Sequence, residues 1–148
     1  MSKNNNNNNA PTENVPIKTR AAPELKIVVV DDAEFSRKTI ISILENAKFK
    51  VVGEASNANE AIDMIIKNSP NLIILDMVMP DLSGVDLLKI IYEKFQDIYV
   101  IIVSSLFHEQ IVVESISSGA LDFIQKPFEP ETIINSVNKI AQRIASIE

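Results

Sequence analysis

Lys26-Ile27-Val28-Val29-Val30, running straight into Asp31-Asp32, is the stretch from which the rest of the chain is read. After the lysine come four β-branched residues with no polar break. A strand with one face in water would alternate apolar and polar residues. An unbroken run suits a strand buried on both faces of a parallel sheet. Four more short runs follow, at residues 50–54, Leu72–Leu75, 99–103 and 122–124. Those at Leu72–Leu75 and 99–103 are also nearly continuous in apolar residues.

Between the runs the apolar period changes to that of a helix. Ile40, Ile41, Leu44 and Ala47 form one stripe, and Ala61, Ile62, Ile65 and Ile66 a second. Leu87, Leu88, Ile91 and Phe95 form a third, and Ile111, Val112, Ser115 and Ile116 a weaker fourth. The longest takes in Ile133, Ile134, Val137, Ile140, Ala141, Ile144 and Ile147. Helix-end chemistry supports the boundaries. Asn57 with Glu60 three residues on is a capping-box-like pair, and Ser83 caps a helix with Asp86 in its first turn. Pro130 suits a first turn, and Gly119 a left-handed exit. Strand and helix thus alternate five times. Right-handed crossovers between parallel strands predict an α/β protein, a doubly wound five-stranded parallel sheet with five helices on its two faces.

Composition narrows the function. The 148 residues are 46% hydrophobic and 23% charged, with a formal net charge of −6. That size fits one domain, and an acidic balance argues against nucleic-acid and anionic-membrane surfaces. The absence of cysteine excludes disulfides and thiolate sites, and the lone His108 excludes a multi-histidine metal site within one chain. No apolar run approaches the roughly 20 residues needed to span a bilayer. The first residues lack the apolar core of a signal peptide, so a cytoplasmic home is expected. Residues 1–24, with asparagine at positions 4–9 and prolines at 11, 16 and 23, read as a disordered Asn-rich tail preceding a domain at 25–148.

In an open parallel sheet, ligands bind beyond the carboxyl ends of the strands. Asp31 and Asp32 follow the first run, Asp76 the third, Ser104 and Ser105 the fourth, and Lys126 with Pro127 the fifth. Each alone reads as a turn former, a cap or a solvated surface group. Their joint placement at one sheet edge is what carries meaning. Three crowded carboxylates repel unless a cation lies among them, and an all-oxygen donor set points to Mg2+. A metal clamp, a lysine and a hydroxyl are the parts that stabilise a transferring phosphoryl group, and an Asp carboxylate can accept one.

The motifs Val28-Val29-Val30-Asp31-Asp32, Asp76-Met-Val-Met-Pro80-Asp-Leu-Ser-Gly84, Ile-Val-Ser104-Ser-Leu and Gly119-Ala-Leu-Asp-Phe123-Ile-Gln-Lys126-Pro127-Phe128 resemble the receiver domains of two-component response regulators. The resemblance spans Leu25 to about Glu148 and implies the flavodoxin-like (β/α)5 receiver fold. It implies that Asp76 is the phosphoacceptor. Mg2+ would be held by Asp31, Asp32, Asp76 and the Val78 backbone carbonyl. Ser104, Lys126 and Phe123 would bind the phosphoryl group and relay the switch, and the Lys126–Pro127 peptide would be cis. It further implies a histidine kinase as phosphodonor. The output face would include Phe107, Glu109, Val113 and Phe123 and meet a downstream protein, such as a flagellar motor switch in chemotaxis or a phosphotransfer protein in a relay. The molecule is expected to be a monomer or weak dimer and, with no output domain after Glu148, to act by binding another protein. It would assist its own phosphorylation and dephosphorylation rather than turn over a substrate.

The sequence departs from the family pattern in places. Ser105 stands where Ala is commoner, Phe123 where many members have Tyr, and apolar Val78 and Leu106 where many are polar. Two other readings remain beside the switch. An aspartate-nucleophile phosphatase would want Asp two residues after Asp76, where Val78 stands. A receiver-fold scaffold that never uses phosphate would not need this full set of side chains. A dinucleotide-binding reading fails because the first run meets Asp31-Asp32 and not a glycine-rich loop.

Overall fold

The computed structural model describes residues 24–147; the tail expected over residues 1–24 lies outside them except for Glu24. The elements in chain order are β1 (Lys26–Val30), α1 (Glu34–Asn46), β2 (Lys50–Ala55), α2 (Ala58–Asn68), β3 (Leu72–Leu75), α3 (Gly84–Lys94), β4 (Tyr99–Ser104), α4 (Glu109–Ser117), β5 (Asp122–Gln125) and α5 (Pro130–Ile147). The five strands form one sheet in the order β2-β1-β3-β4-β5, and every neighbouring pair is parallel. This is the doubly wound architecture that the alternating pattern predicts. One compact unit, Leu25–Val137, contains the whole sheet; from Asn138 onward α5 belongs to a second unit.

The apolar runs became strands because only a two-sided interior can bury them. Val28, Val29, Leu72, Ile73, Ile101 and Ile102 are sealed from solvent. Each large aliphatic side chain so buried contributes about 1.5–3 kcal/mol. The stripes of α1, α2 and α3 supply the cover: Ile40 and Leu44, Ala61 and Ile65, and Leu87, Leu88 and Ile91 are buried. Two stripe members turn outward instead, Ile66 at 67% and Ile116 at 46% exposure. In α4 the fully buried side chain is the hydroxyl residue Ser115, which satisfies itself by donating to the Ile111 carbonyl at 2.7 Å.

The caps form as the local chemistry dictates. Asn57 Oδ1 accepts from the Glu60 amide at 2.8 Å, and Ser83 Oγ from the Asp86 amide at 3.2 Å. The reciprocal half of the first box is displaced by one residue, since Glu60 accepts from the Ser56 amide at 2.9 Å. Gly119, just beyond α4, has φ +118°, a backbone that a side chain would strain.

Register brings the strand ends level. Val30 pairs with Leu75, Leu75 with Ile102, and Ser104 with Gln125. The chain leaves β1 toward β2 on one side and returns to β3 on the other, so the crevice of a doubly wound sheet opens between β1 and β3.

Candidate functional site

The residues beyond the strand ends are not loose loop residues. Asp31 donates its N–H to the Ala55 carbonyl at 3.0 Å, Asp76 to Val30 at 2.9 Å and Lys126 to Ser104 at 2.8 Å. The ladder thus continues one step past each strand and delivers these side chains to the crevice on rigid backbone. Asp31, Asp32 and Asp76 each bring one carboxylate oxygen to within 4.8 Å of the others. Asp31 and Asp76 are buried, while Asp32 is exposed. Lys126 Nζ lies 2.9 Å from Asp31 Oδ2 and 3.2 Å from Asp76 Oδ2.

Backbone donors steady the two buried acids. Ala33 N–H donates to Asp31 Oδ1 at 2.9 Å, and Val78 N–H to Asp76 Oδ1 at 3.2 Å. Their ionisation differs in consequence. Burial pushes the Asp31 carboxyl up, but the Ser36 hydroxyl, Lys126 and the Ala33 amide together outweigh it and hold the group below its ordinary value. At Asp76 burial wins, over the Lys126 charge and the Val78 amide, and the carboxyl is raised. Burial disfavours the Lys126 ammonium, but Asp31 and Asp76 prevail and keep it protonated.

Ser104 closes the crevice on the β4 side. It is fully buried, and its Oγ accepts from the Leu106 amide at 3.1 Å. The Lys126–Pro127 peptide is cis. On the β3 side Gly84 is required by close approach. A Cβ there would stand 2.5 Å from Met77 Cα and 2.8 Å from the Asp76 carbonyl oxygen, and its amide donates to the Met77 carbonyl at 2.8 Å. Val78 and Leu106 flank Asp76 and Ser104 with exposed aliphatic surface, at 48% and 43%.

Phe123 lies outside this cluster, half-buried on β5. Its ring meets Phe107 edge to face, centroids 5.7 Å apart. Phe107, Glu109 and Val113 are exposed. The structure therefore places the sequence-selected residues in two groups, an acidic crevice with Lys126 and Ser104, and an aromatic and aliphatic surface running through Phe107 into α4.

Three participants were missed in the sequence reading. The Ser36 hydroxyl helps to hold the Asp31 carboxyl below its ordinary value. Arg37 Nη1 donates to the Asp31 carbonyl at 2.8 Å while its Nε pairs with Glu54 Oε1 at 2.7 Å. Asp81 accepts from the Ala58 and Asn59 amides at 2.9 and 3.1 Å, tying the loop after Asp76 to the start of α2. The only signal for Asp81 was an acid in a loop, which cannot say which helix end it meets.

A doubly wound sheet with an aspartate-lined crevice between β1 and β3 defines the class. The sequence match is specific: the response regulator receiver domain model fits residues 27–138, and the chain belongs to that family. Among curated relatives, the chemotaxis protein CheY of Thermotoga maritima is 33% identical over 117 residues, covering 79% of this chain and 98% of that protein. Among solved structures, a CheY-like receiver domain protein from Methanospirillum hungatei gives a TM-score of 0.79 at 24% identity over 85% of this chain and 100% of that one, a likeness of fold. The CheX–CheY complex with BeF3 and Mg2+ from Borrelia burgdorferi gives 0.75 at 27% identity, over 78% of this chain and 88% of that one. No helix among the described residues is long and apolar enough to cross a membrane.

Proposed function

We propose that this receiver is a phospho-switch in which Asp76 accepts a phosphoryl group from a histidine kinase, with Mg2+ held by Asp31, Asp32, Asp76 and the Val78 carbonyl. The observation that carries the reading is the convergence of three carboxylates within 4.8 Å beside an ion-paired lysine. Unneutralised, such a cluster is electrostatically costly, and its hard oxygen donors fit Mg2+. The ion would supply charge neutralisation and hold a phosphoryl oxygen at its open positions.

One Asp76 oxygen attacks phosphorus, forming the new O–P bond as the donor's P–N bond breaks and its electron pair stays on the imidazole. Lys126 Nζ, already 3.2 Å from Asp76 Oδ2, takes up charge on a phosphoryl oxygen as it develops. Ser104 gives up its bond to the Leu106 amide and turns its hydroxyl to another. That movement empties space beside β4, into which the Phe123 ring rotates. Phe107 moves with it because the two rings touch. The surface formed by Phe107, Glu109, Val113 and Phe123 thereby differs between the two states. A protein partner that binds only one of them reads the signal, since a ligand shifts an equilibrium only by its differential affinity. The similarity to chemotaxis CheY supports a role in motility signalling.

Incubation with acetyl phosphate and Mg2+, read by intact mass, tests the proposal. The wild-type chain gains one phosphoryl group. Asp76→Asn, or the wild type in a chelator, gains none. Equal labelling of Asp76→Asn, or none of the wild type with either acetyl phosphate or a phosphorylated histidine kinase, overturns it.

A further inference from the structure

Asp31 and Asp32 are neighbours in the chain, and neighbouring side chains of an extended strand point to opposite faces. Yet both carboxylates reach one crevice, within 4.8 Å of each other and of Asp76. The peptide joining them is therefore turned out of strand geometry. Asp31 N–H still bonds the Ala55 carbonyl at 3.0 Å, so the turn begins immediately after it. No hydrogen bond or ion pair among the described residues steadies the exposed Asp32 side chain. Its direction is set by its backbone.

Two contacts hold that backbone: the Ala33 amide, which donates to Asp31 Oδ1 at 2.9 Å, and the side chain of Arg37. Arg37 Nη1 grips the Asp31 carbonyl at 2.8 Å, the oxygen of the turned peptide itself. Its Nε is fixed by Glu54 Oε1 at 2.7 Å, and the other Glu54 oxygen takes Lys38 Nζ at 2.8 Å. Glu54 lies on β2 beside Ala55, which pairs with Val30. The first turn of α1, the end of β1 and β2 are thus joined through one planar guanidinium. Arg37 is 14% exposed, and Lys38 is 54% exposed with no bond to Asp31.

We infer that Arg37 is a positioning residue for the cation site, orienting the Asp31–Asp32 peptide and through it the Asp32 carboxylate. This rests on the Mg2+ reading above. Charge alone makes the opposite forecast: a guanidinium near a cation repels it, and its removal should tighten Mg2+ binding. Positioning forecasts that removal loosens it. Lysine restores the charge but not the fork that bonds a carbonyl and a carboxylate together.

The test is a titration of the full chain with Mg2+ alone, followed by amide NMR shifts of residues 31–33 and 76–78. Wild type, Arg37→Ala, Arg37→Lys and Lys38→Ala are compared, each checked by thermal melting. Arg37→Ala and Arg37→Lys are expected to weaken Mg2+ binding about 10-fold, with Lys38→Ala no weaker than wild type. Should Arg37→Ala not fold, Arg37→Lys decides. Wild-type or tighter affinity in a folded Arg37 variant overturns the inference, as does equal weakening in Lys38→Ala. A wild type that binds no Mg2+ at those residues overturns the metal reading as well, which separates the two failures.

Discussion

Lys126 Nζ stands 3.2 Å from Asp76 Oδ2, with Asp31 Oδ2 on its other side at 2.9 Å. One ammonium thus joins the ends of β1 and β3 across the crevice. Lys126→Gln keeps a polar group there and removes the charge. Acetyl-phosphate labelling is expected to slow about 100-fold, the usual loss for one preorganised stabilising group. Mg2+ affinity, measured by titration, should hold or rise, because a cation has left the site. Unchanged labelling would remove Lys126 from the chemistry.

Asp76 is raised by burial against the pull of Lys126. A carboxyl whose folded pKa exceeds its unfolded value binds protons more tightly when folded. Its ionisation costs stability as pH rises from the unfolded toward the folded pKa, and the full cost remains above it. Asp76→Asn should therefore melt higher than wild type at neutral pH in chelator. The gap should close as acid protonates the wild-type group. Thermal melts across pH check both the sign and the trend.

Gly84 leaves no room for a methyl group, which would lie 2.5 Å from Met77 Cα. Gly84→Ala is expected to lose about 1–3 kcal/mol in chemical denaturation, as overpacking does. Labelling should slow too, because the displaced backbone is that of Asp76 and Met77. Normal stability with normal labelling would contradict the close approach.

Val78 and Leu106 present aliphatic surface beside Asp76 and Ser104. Neither can orient a water for attack on an aspartyl phosphate. Phosphoryl loss should be slow, and Val78→Asn with Leu106→Glu should shorten the lifetime about 10-fold or more. Radiolabel decay measures it; equal lifetimes would dismiss the role of these side chains.

The strands were legible because β1 and β3 are buried on both faces, so their apolar runs are uninterrupted. The site was legible because Asp31 and Asp76 follow such runs directly, Lys126 follows the shorter β5, and the hydrogen-bond ladder carries one residue past each of these strands. Helix faces were less so. Ile66 and Ile116 fit the periodic stripes yet point outward, while Ser115 is buried by bonding its own helix. Apolar period does not reveal where a neighbouring element stops. Turns at Lys48, Ser69 and Asp97 take positive φ without glycine, so no glycine marks them. Arg37 reaches the nearby Asp31 carbonyl and the distant Glu54 carboxylate, and Asp81 reaches the distant amides of Ala58 and Asn59, so only the fold says which group each one meets.

The switch depends most directly on which residue carries the phosphoryl group. Protein labelled with acetyl phosphate and Mg2+ is reduced with borohydride, which converts an aspartyl phosphate to homoserine, and the peptides are mapped by mass spectrometry. Homoserine at position 76 alone is the predicted result. Homoserine at another aspartate, or phosphate retained on a serine with position 76 untouched, would contradict it.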